Sequence, residues 1–333
     1  MMIRLATVGT SAITEKFLAA CRLTGRYEFH TAYSRDLKKG EKFAKAQGFK
    51  HFSNDLMAVA DSPDIDAVYI ATPNVFHYEQ SRLFLENGKN VICEKPIATD
   101  CGKYDELLSF ADKKGLIYAE AIMSRHTAGR EILLDALSQI GRISQARIDF
   151  CQLSSRYERY KKGEKLNIFD MSLAAGTLMD LGVYCVYAAV DLLGTPDRVS
   201  ASAAFDNNGA DLSGGAVLGY KDFTAVLSYS KIGQSAIGSE IVGDKGVVKI
   251  GSVSQYADIS LINDGKETPL LGMPDRAEVM RGEAEKFADY IENRDAFLDD
   301  YKSVCELTHN VHKCMDLIKQ SAKIKYPIKE CKL

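Results

Sequence analysis

Short apolar runs and helical periodicities alternate through the first third of the chain. Residues 3–8 form a nearly continuous apolar run, the pattern of a parallel strand covered on both faces. The run stops at Gly9-Thr10-Ser11, after which Ile13, Phe17 and Ala20 recur at helical spacing. Residues 29–33 predict a second strand, and the charged stretch 38–47 a helix closed by Gly48. Residues 66–71 predict a third strand, stopped by Thr72-Pro73-Asn74, with a helix from about His77 to Asn87-Gly88. Residues 90–93 predict the next strand. Thr99 or Asp100 then caps a helix running to Lys114-Gly115, and 116–119 add a further strand. Strand and helix in strict alternation, with short links, predict a doubly wound parallel sheet. Right-handed crossovers then gather the strand-end loops on one edge, where ligands bind.

The pattern changes after about residue 122. A helix near 131–139 leads through Gly141 into strand-like residues 143–153. Residues 155–165, dense in Arg, Lys, Glu and Tyr, predict an exposed loop, and 177–193 a helix ended by Gly194-Thr195-Pro196. From 199 to 271, short alternating runs are separated by Asn207-Asn208-Gly209, Lys221-Asp222, Gly243-Asp244-Lys245-Gly246 and Asn263-Asp264-Gly265. These are hairpin turns, so the expected sheet is antiparallel. Two helices, about 276–293 and 303–323, finish the pattern. The expectation is an α/β chain of two domains: 1–122, the doubly wound parallel sheet, and 123–333, an α+β domain with a large open, mainly antiparallel sheet.

Composition narrows the function classes. The 333 residues suit two domains, and 46% hydrophobic with 26% charged residues is ordinary for a globular protein. A net charge of −3 with no long basic run argues against a nucleic-acid partner, and no apolar run is read as a membrane span. The eight cysteines (21, 93, 101, 151, 185, 305, 314 and 331) lack paired spacing. They are expected reduced and mostly buried in a cytoplasmic protein, with no metal site.

The candidate chemistry lies at the strand ends. Val8-Gly9-Thr10-Ser11-Ala12-Ile13-Thr14 keeps one glycine of the dinucleotide fingerprint, with Ser11 and Thr14 at the other two positions. Such a turn aims helix amides at a pyrophosphate, but it equally serves as a plain structural turn. Ser34-Arg35 stands at the second strand tip, where an NAD site wants an acid for the ribose 2′-hydroxyl. A hydroxyl beside a guanidinium suits a 2′-phosphate, so NADP(H) is preferred, with Asp36 as the NAD(H) alternative two residues on. Thr72, Pro73 and Asn74 leave the third strand. Asn74 is read either as a ribose ligand or as a helix cap, and His77 as packing at a helix start beside the cofactor loop. Val91-Ile92-Cys93-Glu94-Lys95-Pro96 holds Lys95 on the ligand edge between an apolar strand and a proline. In Gly176-Thr177-Leu178-Met179-Asp180-Leu181-Gly182-Val183-Tyr184, Asp180 and Tyr184 share a helix face. A tyrosine becomes a useful acid–base group near neutrality when an ammonium lies beside it.

Together these stretches resemble the Gfo/Idh/MocA family, with glucose–fructose oxidoreductase and dimeric dihydrodiol dehydrogenase as the similar branch. The resemblance runs the whole length through Gly9, Thr72–His77, Glu94-Lys95-Pro96 and Gly176–Tyr184. It implies a Rossmann domain and a second domain whose open sheet forms a homodimer or homotetramer. It also implies hydride transfer between NAD(P) and a carbinol or carbonyl carbon of a small sugar, polyol or dihydrodiol. The resemblance carries a catalytic role to Lys95, Tyr184 and Asp180, and cofactor contacts to Gly9–Ile13, Ser34, Arg35, Thr72–Asn74, His77, Glu94 and Lys95. Arg125 and His126 are candidate substrate neighbours, with a surface helix cap as the other reading of His126. Ala174-Ala175-Gly176 stands where the family usually has a run of glycines. The basic stretch 156–165 is read as a solvated face, with a cover for an acidic substrate as its alternative. A non-catalytic nucleotide sensor, an NAD-dependent glycosidase and a purely structural subunit are the rival functions. Retention of both Lys95 and Tyr184 disfavours the sensor.

Overall fold

The computed structural model describes residues 2–327; Met1 and 328–333, and with them Cys331, lie outside the described residues. The described chain forms two compact units, 2–126 with 275–306, and 127–274 with 307–327.

The first unit holds six parallel strands: β1 (Ile3–Val8), β2 (Tyr27–Tyr33), β3 (His51–Ser53), β4 (Ala67–Ile70), β5 (Asn90–Glu94) and β6 (Tyr118–Ala121). Their order is β3-β2-β1-β4-β5-β6, so the winding reverses between β1 and β4. The helices Ala12–Thr24, Leu37–Gln47, His77–Glu86 and Cys101–Lys113 follow β1, β2, β4 and β5. Asp36 and Asp100 start two of them, each accepting the amide three residues on, from Lys39 and Lys103, at 3.0 Å. β3 and the helix Leu56–Asp61 are additions to the predicted pattern. At three and six residues they are too short to display a period.

The sequence pattern alone assigned everything after residue 122 to the second half. The helix Arg276–Glu292 belongs instead to the first unit. Its Val279, Met280, Ala284, Phe287 and Ala288 are buried in one core with Ile3, Leu5, Phe17 and Tyr69. Tyr27 donates to the Ala284 carbonyl at 2.6 Å, and Arg26 pairs with Asp289 and Glu292 at 2.6 Å each. An apolar helical stripe does not encode which core receives it.

The second unit is built on eight strands: β7 (Ile143–Cys151), β8 (Arg198–Phe205), β9 (Asp211–Gly219), β10 (Thr224–Ser230), β11 (Ser239–Gly243), β12 (Val247–Ser252), β13 (Ala257–Asn263) and β14 (Lys266–Leu271). Their order is β14-β13-β12-β11-β7-β10-β9-β8. All four predicted turns join antiparallel hairpins. The sheet is nonetheless mixed, because β7 enters the middle and runs parallel to β10. The helices Ala128–Gln139 and Val183–Leu193 cover one face, over Ala146, Ile148, Ala225, Leu227, Ile241 and Val248. The segment Met171–Leu193, passed over as a span candidate in the sequence, is long and apolar enough to cross a membrane; it is mostly buried as core here. Within it, 178–182 is a wide π-helical turn, not the regular helix expected. The seven described cysteines are free, and six are buried.

Candidate active site

At the reversal point β1 and β4 leave the sheet side by side. The Ala71 amide donates to the Val8 carbonyl at 2.9 Å, and Gly9 makes the next turn at φ 113°. A Cβ on Gly9 would lie 2.5 Å from the Ala71 carbonyl oxygen, so both the dihedral and the space exclude a side chain. Thr10 is half-buried, while Ser11 and Ala12 are exposed at the start of the helix Ala12–Thr24. The Ser11 hydroxyl does not cap that helix; it lies 3.3 Å from the Thr14 hydroxyl. Ile13 packs partly buried against the core. An open helix start behind a glycine that no Cβ fits is what a dinucleotide pyrophosphate requires, and these residues fit such a group.

Ser34 stands at the tip of β2, buried, with its amide donating to the Ser53 carbonyl at 3.0 Å. Arg35 is exposed, its guanidinium 5.8 Å above the Phe76 ring. Asp36, the alternative acid, is committed to the Lys39 amide as a helix cap. The strand tip thus carries a hydroxyl and a cation, with the nearest carboxylate already engaged.

Beyond β4, Thr72, Pro73 and Asn74 are half-buried, and Asn74 begins a short 3-10 turn rather than capping the helix His77–Glu86. The Thr72 hydroxyl donates to Gln80 Oε1 at 2.7 Å. His77 is fully buried, with Nε2 2.8 Å from the Thr72 carbonyl and Nδ1 2.8 Å from the Pro96 carbonyl. It ties the two strand-end loops together, and burial holds its pKa below the ordinary value. Glu94 is likewise inside: Tyr69 donates to it at 2.5 Å and the Lys95 amide at 3.2 Å. Burial pushes the Glu94 carboxyl up. It pushes Glu283 up further, with the charge of Glu94 adding to the effect. Lys95 is half-buried at the strand exit. Glu120 lies inside the same unit and accepts the Ile97 amide at 2.8 Å.

Arg125 and His126 end the turn after β6. Arg125 lies 3.6 Å from Asp300, a carboxylate that also accepts from Lys286 and Tyr290 at 2.9 Å. Burial raises the Asp300 pKa, but these donors outweigh it and hold the group below the usual range. Arg125 therefore serves an ion-pair cluster inside the first unit. The His126 backbone packs against Gly282.

The second unit carries Asp180 and Tyr184. Tyr184 is 6% exposed, with Phe150 edge-on at 5.6 Å. Asp180 is 41% exposed on the π-helical turn and lies 3.2 Å from Lys231, which the sequence reading missed. The start of that turn is held by Asp211, also missed: it accepts the Leu178 amide at 2.8 Å, and its carbonyl accepts the Thr177 hydroxyl at 2.7 Å. A Cβ on Gly176 would stand 1.6 Å from Asp211 Oδ1, which explains the glycine that opens this motif. Burial pushes the Asp211 carboxyl up to about 6. Ala174 adopts φ 53°, a left-handed conformation more easily taken by the glycine usual at this position. The stretch read as an exposed loop contains the short helix Tyr157–Lys161, whose Tyr160 stacks on Phe169 at 4.1 Å and bonds Asp206. Two of its cations are paired internally, Arg159 with Glu164 at 2.7 Å and Lys161 with Glu158 at 2.6 Å. A lone Lys after a strand and an Asp opening one carry no sequence signal of this role, because their partners lie tens of residues away.

Comparison with known proteins agrees with this architecture. Residues 3–122 match the GFO/IDH/MocA oxidoreductase family with its NAD-binding Rossmann fold, and 136–249 match the GFO/IDH/MocA C-terminal domain. The uncharacterized oxidoreductase YgjR of Escherichia coli (strain K12) is 36% identical over 87% of this chain and 89% of its own length. The scyllo-inositol 2-dehydrogenase (NADP(+)) IolU of Bacillus subtilis (strain 168) is 35% identical over 98% of this chain and 99% of its own. Among solved structures, KijD10, a 3-ketoreductase from Actinomadura kijaniata in complex with NADP and TDP-benzene, superposes with a TM-score of 0.84 at 21% identity. That match covers 96% of this chain and 98% of that one.

Proposed function

The chain belongs to the GFO/IDH/MocA family of NAD(P)-dependent oxidoreductases, and from that premise we propose that it interconverts a carbinol and a carbonyl on a small sugar, polyol or dihydrodiol, using NADP(H). When bound, the nicotinamide supplies the hydride acceptor or donor. One observation carries the reading: the β1–β4 reversal point gathers Gly9, Ser34-Arg35, Thr72–Asn74 and Glu94-Lys95 on one edge of the first unit. Ser34 and Arg35 favour a 2′-phosphate, and Asp36, which accepts the Lys39 amide, is already engaged as a cap for the helix Leu37–Gln47.

In the oxidative direction the substrate carbon gives up a hydride and its oxygen gives up a proton. Tyr184 takes that proton on its phenolate oxygen, and returns it in the reductive direction. Lys95 provides the positive charge that favours the phenolate and binds the substrate oxygen. Asp180 accepts from a neighbouring substrate hydroxyl and so orients the ring. Tyr184, 6% exposed with Phe150 edge-on against its ring, is held in place for this transfer. The open face of the second sheet, with Ser200, Ser202, Val217, Val226 and Ser228, is the surface for a second copy. The free cysteines support a reducing, cytoplasmic setting.

The test is a panel of sugars, inositols and dihydrodiols with NADP, and the matching ketones with NADPH. Turnover of at least one polyol with NADP is expected. Failure with every member, despite tight NADPH binding, overturns the enzyme reading in favour of a sensor.

A further inference from the structure

The geometry points to Lys231 as a positioning residue that fixes the Asp180 carboxylate and the base of the 156–170 segment at the same time. Lys231 follows directly on β10 and is only 2% exposed. A buried ammonium is costly unless it is paired and hydrogen-bonded. This one donates to the Ile168 carbonyl at 2.6 Å, lies 5.6 Å above the Phe169 ring and 3.2 Å from Asp180 Oδ2. Its backbone is fixed as well: the Lys231 amide donates to the Leu212 carbonyl at 3.1 Å, and its carbonyl accepts the Ser154 amide at 2.8 Å.

The pair is unequal in a way that suits a ligand. The lysine is anchored in the sheet, while its carboxylate partner remains 41% exposed. The same lysine grips Ile168 and Phe169, and on Phe169 rides Tyr160 of the helix Tyr157–Lys161. Removing its charge therefore frees the carboxylate and loosens the segment together. Asp211 supports the same turn from its other side, through the Leu178 amide. The inference rests on the reading of Asp180 as a substrate contact.

The experiment compares wild type, Lys231→Gln, Asp180→Asn and the double variant, with NADP and scyllo-inositol as the probe. Lys231→Gln loses the charge, and its amide nitrogen, one bond shorter in reach than Nζ, withdraws from the Ile168 carbonyl. NADPH affinity should stay within about twofold, while kcat/KM falls at least about tenfold, mostly through KM. The double variant should stay within about threefold of Asp180→Asn, because the two residues act as a unit. Multiplying losses, or unchanged kinetics in Lys231→Gln beside an impaired Asp180→Asn, overturn the assignment of Lys231 alone. An unimpaired Asp180→Asn overturns the reading beneath it. A second measurement does not depend on the substrate: tryptic cleavage within 156–165 should accelerate at least about tenfold in Lys231→Gln but not in Asp180→Asn. Equal cleavage in both overturns the proposal. Should Lys231→Gln not fold, Lys231→Arg keeps the charge and should retain wild-type cleavage; cleavage accelerated there overturns it too.

Discussion

Replacing Gly9 by alanine tests how closely the β1 exit is built for a pyrophosphate. The new Cβ would sit 2.5 Å from the Ala71 oxygen and 3.0 Å from its carbonyl carbon, at a backbone φ of 113°. An ordinary contact at about 3.4 Å demands that the exits of β1 and β4 part by close to 1 Å. They are joined there by the 2.9 Å bond between the Ala71 amide and the Val8 carbonyl. The dihedral alone costs about 1–3 kcal/mol, and with the clash the total reaches roughly 3–4 kcal/mol. At about 2–4 °C per kcal/mol, the melting temperature should fall by roughly 6–16 °C. Displacing the first amides of the helix Ala12–Thr24 by that amount should also weaken NADPH at least about tenfold by titration calorimetry. Gly102→Ala is the control: a Cβ there meets nothing nearer than 3.5 Å, in a helix and without a left-handed φ. A Gly9→Ala protein that matches the control in both melting and NADPH affinity would refute the close-approach argument.

Two further outcomes follow from the same geometry. Ser34→Asp with Arg35→Ile should shift preference from NADPH to NADH by at least about tenfold, because a carboxylate repels the 2′-phosphate and accepts from the ribose hydroxyls; unchanged NADPH affinity contradicts the NADP assignment. Asp211 has a folded pKa of about 6, raised chiefly by burial from an ordinary 3.8. Its contribution is therefore fully favourable below pH 3.8 and is lost as pH rises through 6. Asp211→Asn, which can still accept the Leu178 amide, should melt higher than wild type above pH 6.5, with a gain of about 3 kcal/mol or less that vanishes towards pH 4. A pH-independent difference in melting would contradict it.

What the sequence reveals here is whatever depends on neighbours along the chain. The apolar run ending in Gly9, the Thr72-Pro73-Asn74 exit, Glu94-Lys95 after β5 and the four hairpin turns all sit in the structure where the pattern places them. What escapes depends on distant partners. The helix Arg276–Glu292 joins the first core through Tyr27 and Arg26, some 260 residues away. The parallel pairing of β7 with β10 is invisible because turns describe only consecutive strands. The π-helical turn at 178–182 looks like ordinary helix by period, yet it is shaped by Asp211. Lys231 reads as a polar residue closing a strand, and only folding sets it under Asp180. Burial adds contacts that no local pattern encodes: His77 ties the loops after β4 and β5, Glu94 accepts from Tyr69 inside the sheet, and Arg125 pairs with Asp300.

The central proposal is that Lys95 and Tyr184 serve as the acid–base pair of the reaction. Its most direct measurement is steady-state turnover of Lys95→Ala and Tyr184→Phe, paired with NADPH titration of each. The account predicts that kcat falls at least about a hundredfold in both, with NADPH affinity held within about threefold of wild type. Wild-type turnover in either variant contradicts it.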